Sequence, residues 1–228
     1  RDVAVTGVQT CALPIFYCER LCDAASARDL LARAEERQVE LIEVTGQVFE
    51  KLAFGARAEG VVAVAATPQA SLADLVLREN DLVVVLEGVE KPGNVGAVLR
   101  SADATGAGAV IVADGRTDLF NPNAIRASLG TIFTVPVAEA SSRETLEWLR
   151  RRGFSILAAR VDGSVVYTEA DFKGAAAIVL GSEADGLTDV WSGEGIEALR
   201  LPMLGVADSL NVSVTAAVVL YEAVRQRS

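Results

Sequence analysis

The hydrophobic positions of this chain fall into short, almost unbroken apolar runs, separated by polar segments with helical spacing. From about residue 71 onward, strands are predicted at LVVVLEG (82–88), AVIVA (109–113), TIFTVPV (131–137), FSILAAR (154–160), AAIVLG (176–181) and LRLPM (199–203). Between them, helices are predicted over about 94–105, near 122–129, after 141–144 and over about 210–227. Continuous apolar strands that alternate with helices are typical of a parallel sheet covered on both faces. The pattern therefore predicts an α/β fold.

A smaller α/β pattern precedes this one. LLARAEERQ predicts a short helix, and VELIEV, VFEKLAFGA and GVVAVAA predict a strand, a helix and a strand. The segment TPQAS at 67–71 has the composition of a linker. We therefore expect a small domain over 16–70 and a larger one over 71–228. Residues 1–15 show neither helical nor strand periodicity, and they lack the basic start and cleavage site of a signal peptide. We therefore expect a non-native leader there.

Composition narrows the chemistry. The 228 residues contain no His, which excludes Ser-His-Asp and Cys-His nucleophiles, His-containing zinc sites and imidazole bases from this sequence. The three cysteines, Cys11, Cys18 and Cys22, suggest neither a disulfide framework nor a zinc site. We therefore expect a protein of the reducing cytoplasm with no metal. The apolar runs are too short or too interrupted to span a bilayer, so no membrane association is expected.

The charge balance bears on possible partners. There are 21 Lys+Arg against 31 Asp+Glu, a formal net charge of −10. This balance argues against a bulk cationic nucleic-acid binder, although it leaves room for a local basic patch.

Loops that directly follow strands are the places to search for a site, because ligands bind beyond the carboxyl ends of parallel strands. In the first such loop, Pro92 and Gly93 shape a turn and Asn94 can cap the next helix. Gly96 allows close approach of a backbone or a phosphate, and Arg100 follows about two helical turns into the segment. A glycine-rich helix start with a solvated Arg explains this segment equally well.

Two further loops carry polar groups. The strand at 176–181 runs into Gly181 and Glu183, which present backbone amides and a carboxylate to a ligand. The glycine spacing matches neither a dinucleotide fingerprint nor a P-loop. After LRLPM, the segment 208–211 opens the last helix, and Asp208 or Ser209 is predicted to cap it.

Together, these three segments resemble the SpoU (TrmH-like) branch of the SPOUT RNA methyltransferases. The first family motif matches NVGAVLRSA at 94–102, and the second matches GSEADGL at 181–187. The third matches Pro202-Met203 followed by SLNVS at 209–213. The motifs occur in family order over about residues 80–228. The segment before them resembles part of a small ribosomal-protein-like domain that binds substrate, although Ala58-Glu59-Gly60 stands where members usually have His-Gln-Gly.

The resemblance implies a fold and an activity. The fold is a parallel-sheet methyltransferase domain with a C-terminal trefoil knot, preceded by a partial α/β substrate-binding domain. The activity is methyl transfer from S-adenosylmethionine to a ribose 2′-hydroxyl of RNA, with ribosomal RNA preferred to tRNA. Family members are typically homodimers whose partner subunit completes the RNA site, and the apolar stripe of Val214, Val218 and Tyr221 is compatible with such an interface.

The resemblance also implies roles for individual residues. Backbone groups of Gly181, Leu201 and Leu210 would hold the cofactor, with Met203 as an apolar wall. Four polar residues would orient the ribose and the catalytic Arg100: Asn94, Glu183, Ser209 and Asn211. In the family, the arginine that matches Arg100 is proposed to assist deprotonation. Because a guanidinium is a poor base at neutral pH, we expect it instead to clamp the adjacent phosphate and stabilise the developing alkoxide.

Phosphate attraction is expected from a few placed cations, namely Arg100, Arg126, Lys91 and Arg116, so intrinsic RNA affinity should be modest. Arg126 is a candidate RNA contact or a surface helix residue. Three alternatives remain at this point: base methylation by another knotted family, a non-catalytic RNA-binding module and a nucleotide-binding α/β protein.

Overall fold

The computed structural model describes residues 12–55 and 59–228, which form two compact units divided between Gln69 and Ala70. The predicted division, between 70 and 71, lies one residue further along the chain. Most of the leader predicted over 1–15 lies outside the described residues, as does Ala58 of the segment 58–60. The non-native origin of the leader stays a prediction.

The first unit is a three-stranded sheet with two helices. Its elements are β1 Ala12–Tyr17, α1 Ala25–Glu36, β2 Leu41–Glu43, α2 Gly46–Leu52 and β3 Val61–Ala65. The strand order is β2-β1-β3, with β1 parallel to β2 and antiparallel to β3. Residues 12–15 of the predicted leader therefore lie within the central strand of this sheet.

The second unit is built on a seven-stranded sheet. Its elements are β4 Leu82–Glu87, α3 Pro92–Thr105, β5 Ala109–Ala113, α4 Pro122–Ser128, β6 Val137–Ala140, α5 Ser142–Arg151, β7 Ser155–Ala159, β8 Val165–Val166, β9 Ala176–Leu180, β10 Ile196–Arg200 and α6 Val212–Arg227. The strand order is β6-β5-β4-β9-β7-β10-β8, and every pair is parallel. The predicted α/β class with a parallel sheet is confirmed.

The continuous apolar strands have side chains buried on both faces of the sheet. In β4, Val84 and Leu86 join a core cluster with α3 and α6, whereas Val83 and Val85 join a second cluster with Trp148 of α5. All four of these β4 side chains are fully buried. The hydrophobic effect thus fixes helices on both faces and leaves the strand ends to form the site.

Two strand predictions were wrong. The segment predicted as a strand over 131–137 begins instead with a 3-10 turn, Thr131–Phe133, and β6 starts only at Val137. The cause lies just before it: Leu129 and Gly130 both have left-handed backbone angles, which turn the chain sharply after α4. The strand predicted over 199–203 ends at Arg200, so that 201–203 belong to the following loop.

Helix starts also differ from the predictions. Lys91, not Asn94, is the residue before α3, because Pro92 occupies the first turn where its missing N–H costs nothing. Asn211, not Asp208 or Ser209, caps α6, and its Oδ1 accepts a hydrogen bond from Ser213 N at 3.0 Å. The capping box of Ser141 and Glu144 on α5 is confirmed.

Gly96 brings α3 and α4 together. A Cβ at this position would lie 2.5 Å from Ala124 O and 2.7 Å from Ser128 N, both backbone atoms of α4. The close approach expected at Gly96 is therefore to a neighbouring helix. Across 12–55 and 59–228, no helix is long and apolar enough to cross a membrane.

Candidate active site

A cleft of about 680 Å³ opens beyond the carboxyl ends of β7, β9 and β10. Its walls come from the loops that follow these strands and from the start of α6. Apolar side chains, including Leu180, Leu187 and Leu199, form one part of the lining. Polar groups of Asp162 and Asp208 form another. This volume and mixed lining are typical of sites for small organic ligands.

The loop at 181–187 folds into a tight turn against the cleft. Ser182 and Gly186 exchange two backbone hydrogen bonds of 3.2 and 3.0 Å, and Asp185 N donates to Ser182 Oγ over 3.0 Å. Gly186 has a positive φ of 69°, which favours glycine. A Cβ on Gly181 would lie 2.5 Å from Leu187 N and closer still to the Gly186 carbonyl. Both glycines are therefore required by the turn itself.

Glu183 is the centre of a hydrogen-bond network that joins the three motifs. Its Oε1 accepts from Asn94 Nδ2 at 3.2 Å and also from the side-chain amide of Asn211. Asn211 Nδ2 lies 3.3 Å from Asn94 Oδ1 as well. On its other oxygen, Oε2, Glu183 accepts from Lys91 Nζ at 2.6 Å. Residues up to 120 positions apart in the sequence, Lys91 and Asn211, thus contact the same carboxylate.

The electrostatics of this network favour the ionised carboxylate. The Lys91 ammonium has the largest effect and lowers the pKa of Glu183, burial opposes it, and the amides of Asn94 and Asn211 lower the pKa further. In turn, Glu183 raises the pKa of Lys91. Glu183 is therefore charged at neutral pH and acts as a hydrogen-bond acceptor.

A second cleft of about 230 Å³ lies beside the first. Lys91 and Asn94 line it together with Val89 and Glu90. Four residues line both clefts: Ser182, Glu183, Ala184 and Val212. The Glu183 carboxylate thus stands on the wall between a large and a small cleft, where two ligands can meet.

The residues predicted for the cofactor lie on the large cleft. Gly181, Leu201, Met203 and Leu210 all line it, and so does Ser209. Apart from Arg100 and Arg126, the structure therefore gathers the predicted site residues into two neighbouring groups, one around the cleft and one around Glu183.

The two predicted RNA contacts, Arg100 and Arg126, line neither cleft. Arg100 is exposed on α3, and within 12–55 and 59–228 no residue pairs with its guanidinium by a hydrogen bond or an ion pair. Arg126 is exposed on α4 and lines neither cleft. Arg116, expected to be a phosphate contact, forms ion pairs with Glu90 at 2.7 Å and Asp185 at 3.0 Å.

Some residues around the site were missed by sequence reasoning. Arg160 and Asp162, on the loop after β7, line the large cleft and form a two-bond ion pair of 2.9 and 3.2 Å. Both directly follow a predicted strand, which is the sequence feature that could have identified them. Glu87 is buried at the end of β4. A charged residue directly after an apolar run is the sequence feature that could have identified it. In the part of the chain that the structure describes, no cluster of side chains could hold a metal ion.

The sequence profile of the SpoU rRNA Methylase family matches residues 81–221, which include all three motifs. The chain belongs to this family. The predicted family is thereby confirmed, and the match covers the whole of the parallel sheet, the Glu183 network and most of α6.

Individual members are similar over much longer stretches. The 23S rRNA (uridine(2479)-2′-O)-methyltransferase of Streptomyces viridochromogenes is 36% identical over 173 residues, which are 73% of this chain and 60% of that protein. The 23S rRNA (guanosine-2′-O-)-methyltransferase RlmB of Ralstonia nicotianae is 36% identical over 211 residues, 88% of this chain and 83% of that protein.

A solved structure of a SpoU relative agrees with the fold. The SpoU methyltransferase AviRb of Streptomyces viridochromogenes, in complex with the cofactor AdoMet, superposes with a TM-score of 0.83 at 30% identity. The superposition covers 95% of this chain and 83% of that one.

Proposed function

We propose that this SpoU-family chain transfers a methyl group from S-adenosylmethionine to a ribose 2′-hydroxyl of ribosomal RNA in the cytoplasm. The observation that carries the proposal is the Glu183 network, which joins all three family motifs on the wall between two clefts. The names of the relatives, both 23S rRNA 2′-O-methyltransferases, support the enzyme class and the RNA. The AdoMet complex of AviRb supports the cofactor.

The large cleft fits S-adenosylmethionine in chemistry as well as size. Leu201, Met203 and Leu210 offer apolar surface for a purine and a thioether, and Asp162 and Asp208 offer acceptors for hydroxyl and ammonium groups. Gly181 is only partly buried and lines this cleft, so its backbone groups can contact a ligand. When bound, the cofactor supplies an electrophilic methyl group.

The small cleft is the proposed place of the target ribose. The reaction breaks the carbon–sulfur bond and forms a carbon–oxygen bond, so the 2′-oxygen must lie in line with the methyl group and close to it. A ribose in the small cleft meets the shared wall at Glu183 and Asn94. Because Glu183 is ionised, it can accept a hydrogen bond from the ribose and fix its orientation. Asn211 and Ser209 complete this side of the site.

Arg100 is the proposed clamp on the phosphate next to the target ribose. Its exposed guanidinium can present two parallel N–H donors to phosphate oxygens. The same positive charge stabilises the alkoxide that develops as the 2′-hydroxyl loses its proton. Lys91 adds a second cation at the small cleft, and Arg126 is proposed as a more distant RNA contact.

Three further features that the family resemblance implies complete the proposal. We propose a C-terminal trefoil knot formed by the loops at 181–187 and 201–210 with α6, and an RNA-recruiting role for the first unit. We also propose a homodimer, which is supported by Val214 and Tyr221, 47% and 56% exposed on α6, with Val218 partly buried between them.

Calorimetry with S-adenosylmethionine, NAD and ATP tests the proposal. The wild-type protein should bind S-adenosylmethionine and neither of the other two. Gly181→Ala should weaken binding at least tenfold, because the added Cβ collides with the backbone at 186–187. Gly193→Ala is the matched control, since no atom lies within 4 Å of its added Cβ. Preferential binding of NAD or ATP would contradict the proposal.

A further inference from the structure

The buried carboxyl group of Glu87 takes no part in the chemistry described above. Glu87 ends β4 and is only 2% exposed. Two distant segments donate hydrogen bonds to it. The Ser142 hydroxyl donates to Oε1 over 2.6 Å. Thr188 donates from its backbone N to Oε2 and from its hydroxyl to Oε1, each over 2.7 Å. A buried carboxyl group with three donors is a costly feature that demands a specific partner geometry.

Through Thr188, the Glu87 carboxyl group is linked to the loop at 181–187. Thr188 directly follows the loop at 181–187, so Glu87 holds the point where that loop returns to the body of the protein. The loop has other attachments at its surface, the ion pairs from Arg116 to Asp185 and from Lys91 to Glu183. These pairs involve exposed side chains and contribute little to holding a backbone in place. The bonds to Glu87 are more buried than these ion pairs and are therefore stronger.

We infer that Glu87 is a positioning residue for cofactor binding, which holds Thr188 and thereby keeps the loop at 181–187 in the form that bounds the large cleft. The inference rests on the proposed function, in which this loop holds S-adenosylmethionine. Glu87 lines neither cleft, so it acts through Thr188. On the opposite side, Ser142 fixes the carboxyl group to the start of α5.

The test compares two buried glutamates. Glu87→Ala should raise the Kd for S-adenosylmethionine about tenfold, because the Thr188 N–H and hydroxyl lose their acceptor. Glu222→Ala is the matched control: Glu222 is also buried, at 8% exposure, but its partners Arg225 and Gln226 lie near the end of α6. The control should lower thermal stability while leaving the Kd within twofold of wild type. Amide hydrogen exchange should quicken over 182–188 in Glu87→Ala alone.

Thr188→Val keeps the test decisive if Glu87→Ala fails to fold. It removes one hydroxyl bond to Glu87 and retains the backbone bond, so we expect a Kd about threefold above wild type and a smaller loss of stability than in Glu87→Ala. Equal affinity changes in Glu87→Ala and Glu222→Ala would overturn the inference, and so would wild-type affinity in Thr188→Val. Failure of the wild-type protein to bind S-adenosylmethionine would instead overturn the proposed function.

Discussion

The Lys91 ammonium lies 2.6 Å from Oε2 of Glu183, so the loop before α3 and the loop after β9 meet in an ion pair at the small cleft. The Lys91 side chain is 72% exposed, whereas that of Glu183 is 30% exposed. The cation can therefore turn towards an incoming phosphate at little desolvation cost, while the two amides continue to hold the carboxylate.

Replacement of Lys91 should weaken RNA binding by an electrostatic route. Lys91→Gln removes one phosphate contact, so the slope of log K against log salt should become shallower by about one. Binding of S-adenosylmethionine should be unchanged. The control is Lys173→Gln, which should leave the slope unchanged. Lys173 is exposed and precedes the amino end of β9, whereas the site lies at the carboxyl ends of the strands. Identical slopes for wild type and Lys91→Gln would rule out the phosphate contact.

Replacement of Arg100 separates cofactor binding from chemistry. Arg100→Ala should lower the rate of methyl transfer at least about a hundredfold, since the alkoxide loses its stabilising charge. Because Arg100 does not line the large cleft, the Kd for S-adenosylmethionine should stay within twofold of wild type. Calorimetry and a tritiated-methyl transfer assay measure the two effects. Parallel loss of binding and transfer would show that the assigned role is wrong.

Replacing each of two glycines of α3 by alanine should have opposite effects on the free energy of unfolding. Gly96→Ala should destabilise the protein by about 2 kcal/mol or more, because its Cβ would collide with backbone atoms of α4. Gly93→Ala meets no atom within 4 Å and should be neutral or stabilising by up to about 1 kcal/mol. Urea unfolding measures both. A small effect of Gly96→Ala would contradict the close packing of α3 on α4.

Acid should remove a stabilising contribution of Glu222. Arg225 and then Gln226 hydrogen-bond to its carboxylate and lower its pKa from 4.5 to about 2. A depressed pKa in the folded state contributes stability that is complete above pH 4.5 and is lost as the pH falls towards 2. Glu222→Gln should therefore be less stable at pH 7, by about 1–2 kcal/mol, and show a flatter decline between pH 4.5 and 2. Parallel wild-type and variant profiles in thermal unfolding would contradict this.

Much of the fold could be predicted because burial on both faces leaves a clear signal. Except for Glu87 at the end of β4, the strands β4, β5 and β9 are continuous runs of Val, Ile, Leu and Ala, and the structure has them within a residue of the predicted bounds. The order of the strands could not be predicted, since it depends on pairings between distant segments. In the sheet, β9 lies between β4 and β7, although four strands and three α-helices of the intervening sequence separate it from β4.

The cap of α6 was predicted wrongly because several neighbouring residues can cap a helix. Asp208, Ser209 and Asn211 are all good helix caps, and only the tertiary bonds of Asn211 to Asn94 and Glu183 distinguish it. The ion pairs of Arg116 with Glu90 and Asp185 could not be predicted either, because they join loops that are distant in the sequence. Motif spacing predicts which residues form the site, whereas their hydrogen-bond partners require the three-dimensional structure.

The most direct measurement is methyl transfer from tritiated S-adenosylmethionine to unmodified bacterial ribosomal RNA, followed by alkaline hydrolysis. A methylated 2′-oxygen cannot attack the neighbouring phosphate, so label on a ribose survives in alkali-resistant dinucleotides. We predict that the wild-type protein labels 23S rRNA at such positions and that Arg100→Ala does not. Label confined to the bases, or no transfer by a wild-type protein that binds S-adenosylmethionine, would contradict the proposed reaction.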